Sequence, residues 1–99
     1  MGIPIRVDEK EIEGFCRRHH LTKLSFLGSV LTERFRPDSD VDVLFEYDPA
    51  HVPTLFDVAE MEEELSSILG RKTDMRTAED ISRLFRDEVV RTALVQYAA

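Results

Sequence analysis

Early in the chain the apolar residues recur at three- and four-residue intervals, at Ile12, Phe15 and Cys16. That repeat places them on one face of an α-helix. Asp8 followed by Glu11 has the spacing of a capping box, so a first helix is predicted from there to His19. From Leu21 to Leu27 the pattern becomes alternation, with Lys23 and Ser25 interleaved with Leu24 and Phe26, which predicts a strand ending at Gly28. Gly28-Ser29 reads as a turn, Val30 to Phe35 has room for one or two helical turns, and Pro37-Asp38-Ser39 stops them. A second strand is predicted from Val41 to Tyr47.

After the loop opened by Asp48-Pro49, Thr54 is placed to cap a helix whose apolar positions are Leu55, Val58, Met61, Leu65, Ile68 and Leu69. Its other side carries Glu60, Glu62, Glu63 and Glu64, which are expected to form a solvated face. Gly70 suits the C-terminal cap, and Lys72 to Met75 reads as a third short strand. Thr77 with Asp80 then opens a last helical region, with Ile81, Leu84, Phe85, Val89, Val90, Ala93, Leu94 and Tyr97 as its expected buried stripe. The order helix, strand, turn, strand, helix, strand, helix defines one small α/β domain, residues 1–99, with helices packed on a sheet. Strand order and direction do not follow from periodicity.

At 99 residues the chain is expected to build one modest core and no separate substrate-recognition domain, so that a loop or another chain would select any substrate. Its apolar runs fall far short of the roughly 20 residues that span a bilayer. Met1 to Arg6 lacks the features of a signal peptide, and a cytoplasmic location is expected. With 20 acidic against 13 basic residues the net charge is −7, which disfavours direct binding to nucleic acid. The local basic group Arg17, Arg18, His19 and His20 falls at a predicted helix C-terminus, where it complements the macrodipole. The single cysteine, Cys16, reads as a buried structural thiol.

The residues that stand out chemically are Asp38-Ser39-Asp40-Val41-Asp42, because aspartate is depleted from strands and here opens an otherwise apolar one. Side chains two apart on a strand share a face, so Asp40 and Asp42 can bring their carboxylates together. Two such anions repel unless a cation or proton lies between them, and an all-oxygen pair suits Mg²⁺, which keeps waters and is completed by substrate phosphates. Upstream, Gly28 allows close backbone approach to a phosphate, and Ser29 supplies a hydroxyl to hydrogen-bond it. An EF-hand reading of Asp38, Asp40 and Asp42 fails, since the sixth loop position holds Val43 instead of Gly and the twelfth Pro49 instead of Glu.

Leu27-Gly28-Ser29, ten residues, then Asp40-Val41-Asp42-Val43-Leu44 resembles the signature of the DNA polymerase β-like nucleotidyltransferase superfamily. The chain's size and the approach Arg36-Pro37-Asp38-Ser39-Asp40 resemble its minimal nucleotidyltransferase (MNT) subgroup, the antitoxins of HEPN/MNT toxin-antitoxin pairs. Leu69-Gly70-Arg71-Lys72-Thr73-Asp74 resembles the third strand with its third acidic residue, so the likeness runs over about residues 21 to 97, with a motif core at 24–76. It implies a small polymerase β-like fold with a mixed sheet. It also implies Asp40, Asp42 and Asp74 as catalytic and metal-binding residues, Gly28 and Ser29 at the nucleotide, Mg²⁺ (or Mn²⁺) as cofactor and ATP as substrate. The implied reaction is transfer of AMP to a hydroxyl, with a tyrosine of an all-helical HEPN toxin as the expected acceptor and a hetero-oligomer as the expected assembly. In one departure, many members carry Arg soon after Gly-Ser and a second Gly further on, where this chain reads Val30-Leu31-Thr32-Glu33. That departure bears on triphosphate contact and raises a reading of another class, an antitoxin that neutralises its toxin by binding alone. Transfer to an RNA end or an antibiotic, also known in the superfamily, is disfavoured by the small size and negative charge.

Overall fold

A computed structural model of the chain describes residues 7–27, 40–81 and 83–99. Helix α1, Glu9–Arg18, starts where Asp8 accepts hydrogen bonds from the backbone N–H groups of Lys10 and Glu11, at 3.0 and 3.3 Å. It leads through His20, whose φ of 56° makes a sharp reversal, into β1, Leu21–Leu27. Strand β2, Val41–Tyr47, pairs antiparallel with β1. Helix α2, Leu55–Leu69, opens with a capping box between Thr54 and Asp57 and ends at Gly70, whose φ of 71° is the left-handed cap that glycine adopts without penalty. It carries the chain over to β3, Thr73–Arg76, which pairs parallel with β2, a connection that requires a crossover of this length. The third strand thus begins and ends one residue later than the pattern of Lys72 to Met75 indicates.

Beyond β3 the expectation of one long helical region with a buried stripe is overturned. The chain makes one 3₁₀ turn, Ala78–Asp80, a short helix α3, Arg86–Thr92, and then a fourth strand, β4, Leu94–Ala98. Strand β4 pairs antiparallel with β1, giving a mixed sheet of order β3-β2-β1-β4. Leu84, Phe85, Val90 and Leu94 are exposed; Tyr97 does pack against the core, but from a strand opposite Leu24. The apolar spacing that mimicked a helical stripe is shared between a short helix and an edge strand, whose partner β1 lies some seventy residues back.

One face of the sheet is covered by α1 and α2. Ile12, Phe15 and Cys16 of α1 and Met61, Leu65 and Leu69 of α2 bury Leu24, Phe26, Val41, Val43, Phe45 and Met75. Leu55, counted in the apolar stripe of α2, instead stands exposed at its first turn. Because strand side chains alternate, the buried positions 41, 43 and 45 send 42, 44 and 46 to the opposite face. No helix among the described residues is long and apolar enough to cross a membrane.

Candidate active site

The face of the sheet away from α1 and α2 presents two short aligned rows. From β2 come Asp42 and Leu44, and from β3, in register, Asp74 opposite Asp42 and Arg76 opposite Leu44. Asp40 lies just ahead of β2, and the N–H of Val41 donates to the carbonyl of Lys72 at 2.8 Å, which sets Lys72 beside it. Lys72 Nζ is 3.9 Å from Asp40 Oδ2. On the other side, Leu27, the last residue of β1, pairs with Asp42. Gly28, Ser29, Val30 to Phe35 and Asp38 lie outside the described residues.

Asp42 is half-buried, and that burial holds its carboxyl above its ordinary value; Arg76 acts against the rise, while Asp74 and Asp40 add to it. This is the behaviour of a carboxyl partly withdrawn from water, with a guanidinium and two further carboxylates nearby acting in opposite senses. The donor set, hard carboxylate oxygens on one face, fits a divalent cation that is completed by the oxygens of a substrate. Among the described residues no group of three or more His, Cys, Asp or Glu forms a ready metal cage.

Helix α2 fixes the position of β3 and hence of Asp74. The N–H of Thr73 donates to Ser66 Oγ at 2.9 Å, and the N–H of Met75 donates to Glu62 Oε2 at 2.7 Å, so the two amides flanking Asp74 are held by side chains four apart on the helix. Ser66 Oγ in turn donates to the carbonyl of Glu62 at 2.6 Å. Glu62 is therefore no idle member of a solvated face. Neither is Glu64, which binds Arg18 and, at 3.2 Å, His19 Nε2, tying α2 to the end of α1. The expected solvated face thus holds for the exposed Glu60 and Glu63 alone. Further along, a cleft of about 340 Å³ lies between β2 and the segment after β3, lined by Leu44, Glu46, Thr77, Glu79 and Val90 among others. Leu44 is the residue after next from Asp42 on the same face.

Of the expected site residues, the structure aligns Asp42 with Asp74 and places Asp40 one step before β2, beside Lys72. Sequence reasoning passed over Lys72, Arg76, Glu62 and Ser66. The available signal was alternation in Lys72-Thr73-Asp74-Met75-Arg76, which sets two cations on the same side of the strand as Asp74.

The nucleotidyltransferase domain family matches residues 9–97, and the chain belongs to that family. It is a nucleotidyltransferase, a transferase of the nucleotidyl-transferring class. A Methanocaldococcus jannaschii protein assigned as a protein adenylyltransferase is 27% identical over 86 residues, covering 87% of this chain and 90% of that protein. A solved structure of a proposed minimal nucleotidyltransferase is 28% identical with a TM-score of 0.71, over 87% of this chain and 86% of the other, bearing out the resemblance drawn from the motif. Two toxin-antitoxin complexes share the fold. One, crystallised with AMP-PNP, has a TM-score of 0.73 at 19% identity, over 94% of this chain and 75% of that one. The other, a tri-AMPylated Shewanella oneidensis HEPN toxin with its MNT antitoxin, has a TM-score of 0.59 at 20% identity, over 92% and 70%.

Proposed function

We propose that the chain transfers AMP from Mg²⁺-ATP to a tyrosine hydroxyl of a cognate HEPN-type toxin and so acts as a protein-modifying antitoxin. The observation that carries this reading is the alignment of Asp42 with Asp74 on the face free of α1 and α2, with Asp40 at its edge. The relatives named above support it, since one is assigned as a protein adenylyltransferase and another is bound to an AMPylated toxin.

In this reading Asp40 and Asp42 hold the cation, which neutralises triphosphate charge and orients the α-phosphate when bound. Asp74, opposite Asp42, supports that site or accepts the proton of the incoming hydroxyl. The hydroxyl oxygen attacks the α-phosphorus, a new phosphorus–oxygen bond forms, the bond to the β-phosphate oxygen breaks, and pyrophosphate leaves. The chain's own contribution is to position these groups, which is where most of the acceleration in such transfers originates. Gly28 and Ser29 are assigned to the phosphates and Asp40, Asp42 and Asp74 to the metal and the chemistry. In this reading a partner chain supplies the acceptor, and the net charge of −7 suits a basic partner surface.

Incubation of the protein with α-labelled ATP, Mg²⁺ and the co-expressed helical partner tests the reading. Label on a partner tyrosine, lost in Asp40→Asn and Asp42→Asn chains that still fold, is the expected result. If a triple Asn variant at 40, 42 and 74 still neutralises the toxin and no label is transferred, the binding-only antitoxin is the correct reading.

A further inference from the structure

At this end of the sheet the face away from α1 and α2 holds three carboxylates, Asp40, Asp42 and Asp74, interleaved with two cations of β3 and its approach, Lys72 and Arg76. The two cations differ in placement. Arg76, the last residue of β3, lies opposite Leu44 in the middle of β2, where its charge acts on Asp42. Lys72 stands at the other end, beside Asp40, with 75% of its side chain exposed, and it contacts that carboxylate at 3.9 Å. Exposed ion pairs of this kind are weak, so a divalent ion that engages Asp40 easily displaces the ammonium. The displaced ammonium stays tethered by a flexible stem at the rim of the same site, and a lysine suits a phosphate oxygen as a compact point charge.

A nucleoside triphosphate would bring several negative charges to this already acidic face, so further cations are needed there. The segment after Gly28-Ser29 supplies none until Arg34. We propose that Lys72 is a triphosphate-binding residue: it pairs with Asp40 in the metal-free chain and moves to an oxygen of the leaving diphosphate when metal and nucleotide bind. The inference rests on the nucleotidyl-transfer reading above and adds to it a residue that discriminates triphosphate from monophosphate.

Equilibrium titration of Mg²⁺-ATP and of AMP into the wild-type, Lys72→Met and Lys72→Arg chains tests it. Lys72→Met is expected to weaken ATP binding about tenfold, the effect of one lost charge-assisted contact, and to leave AMP binding within about twofold. Lys72→Arg is expected to retain most of the ATP affinity. The metal-free Lys72→Met chain should melt within a few degrees of wild type, because the exposed pair contributes little. Equal ATP affinity in Lys72→Met and wild type overturns the inference, as does an equal loss for ATP and AMP. A wild-type chain that binds no Mg²⁺-ATP overturns instead the nucleotidyl-transfer reading on which the inference stands.

Discussion

Asp42 and Asp74 stand directly opposite each other across the parallel β2–β3 pair, two like charges at neighbouring positions on one face of the sheet. Like charges placed opposite one another on a sheet are destabilising, by roughly 0.2–1 kcal/mol. Burial is the larger cause of the raised Asp42 carboxyl, Asp74 adds to it, and Arg76 offsets part of the rise. Replacing Asp74 by Asn is therefore expected to raise the melting temperature of the metal-free chain near pH 7, by about 1–8 °C for a domain of this size. The same substitution should shrink the stabilisation gained from Mg²⁺-ATP. Thermal melts with and without that ligand read both quantities, and an unchanged ligand-induced shift would remove Asp74 from the site.

The positions of Asp40 just ahead of β2 and of Asp42 within it were legible in the sequence, because strand alternation is a local property. Helices α1 and α2 were legible for a similar reason: Asp8, Thr54 and Gly70 are local cap signals, and the structure uses all three. The alignment of Asp74 with Asp42 was not readable from the residues themselves, since it depends on parallel pairing across the whole of α2, and only the family resemblance implied it. Strand β4 was missed because five uncharged residues, Leu94–Ala98, continue the apolar spacing of the preceding segment, while what makes them a strand is the edge of β1. A hydrophobic period reports which residues seek burial; it does not report which distant backbone offers hydrogen bonds.

Glu62 gives a second prediction, because a helix side chain satisfies a strand amide beside the site. Glu62→Ala leaves the Met75 N–H without its carboxylate acceptor, and hydrogen bonds to charged groups are worth about 1.5–3 kcal/mol. The expected outcome is destabilisation of that order, faster hydrogen exchange at the Met75 amide, and reduced transfer through a less firmly held Asp74. Glu62→Gln keeps an acceptor oxygen and should recover most of the loss. Exchange at Met75 that is the same in Glu62→Ala and wild type would show that the contact does not hold the strand.

Cys16 is fully buried against the sheet, and burial pushes its thiol up to about 12. The thiolate is the reactive form, so the native chain offers almost none at pH 8. Iodoacetamide labelling, followed by mass spectrometry, should be slower by at least about a hundredfold in the native chain than in denaturant. Labelling at comparable rates in both conditions would mean that α1 opens freely from the sheet.

The last prediction concerns the contact that joins the two helices behind the site. Burial alone would raise the Glu64 carboxyl, but hydrogen bonds and charge from Arg18 and His19 outweigh it, and the group is held below its ordinary value. A carboxylate with a lowered folded-state pKa contributes stability that is fully present above its unfolded value of about 4.3 and is lost as pH falls through the folded value. Wild type should therefore be more stable than Glu64→Gln at pH 7, and the difference should close in the acid range below about pH 4. The pair is largely exposed, with 58% of the Arg18 and 36% of the Glu64 side chain accessible, so the gap at pH 7 is expected to stay within about 1 kcal/mol. For the same reason it should narrow in 1 M salt, where the screening length falls to about 3 Å. Denaturant titrations of both chains at pH 7 and pH 3.5, at low and high salt, measure the gap. A gap that persists unchanged at pH 3.5 would show that the side chain acts through packing and not through its charge.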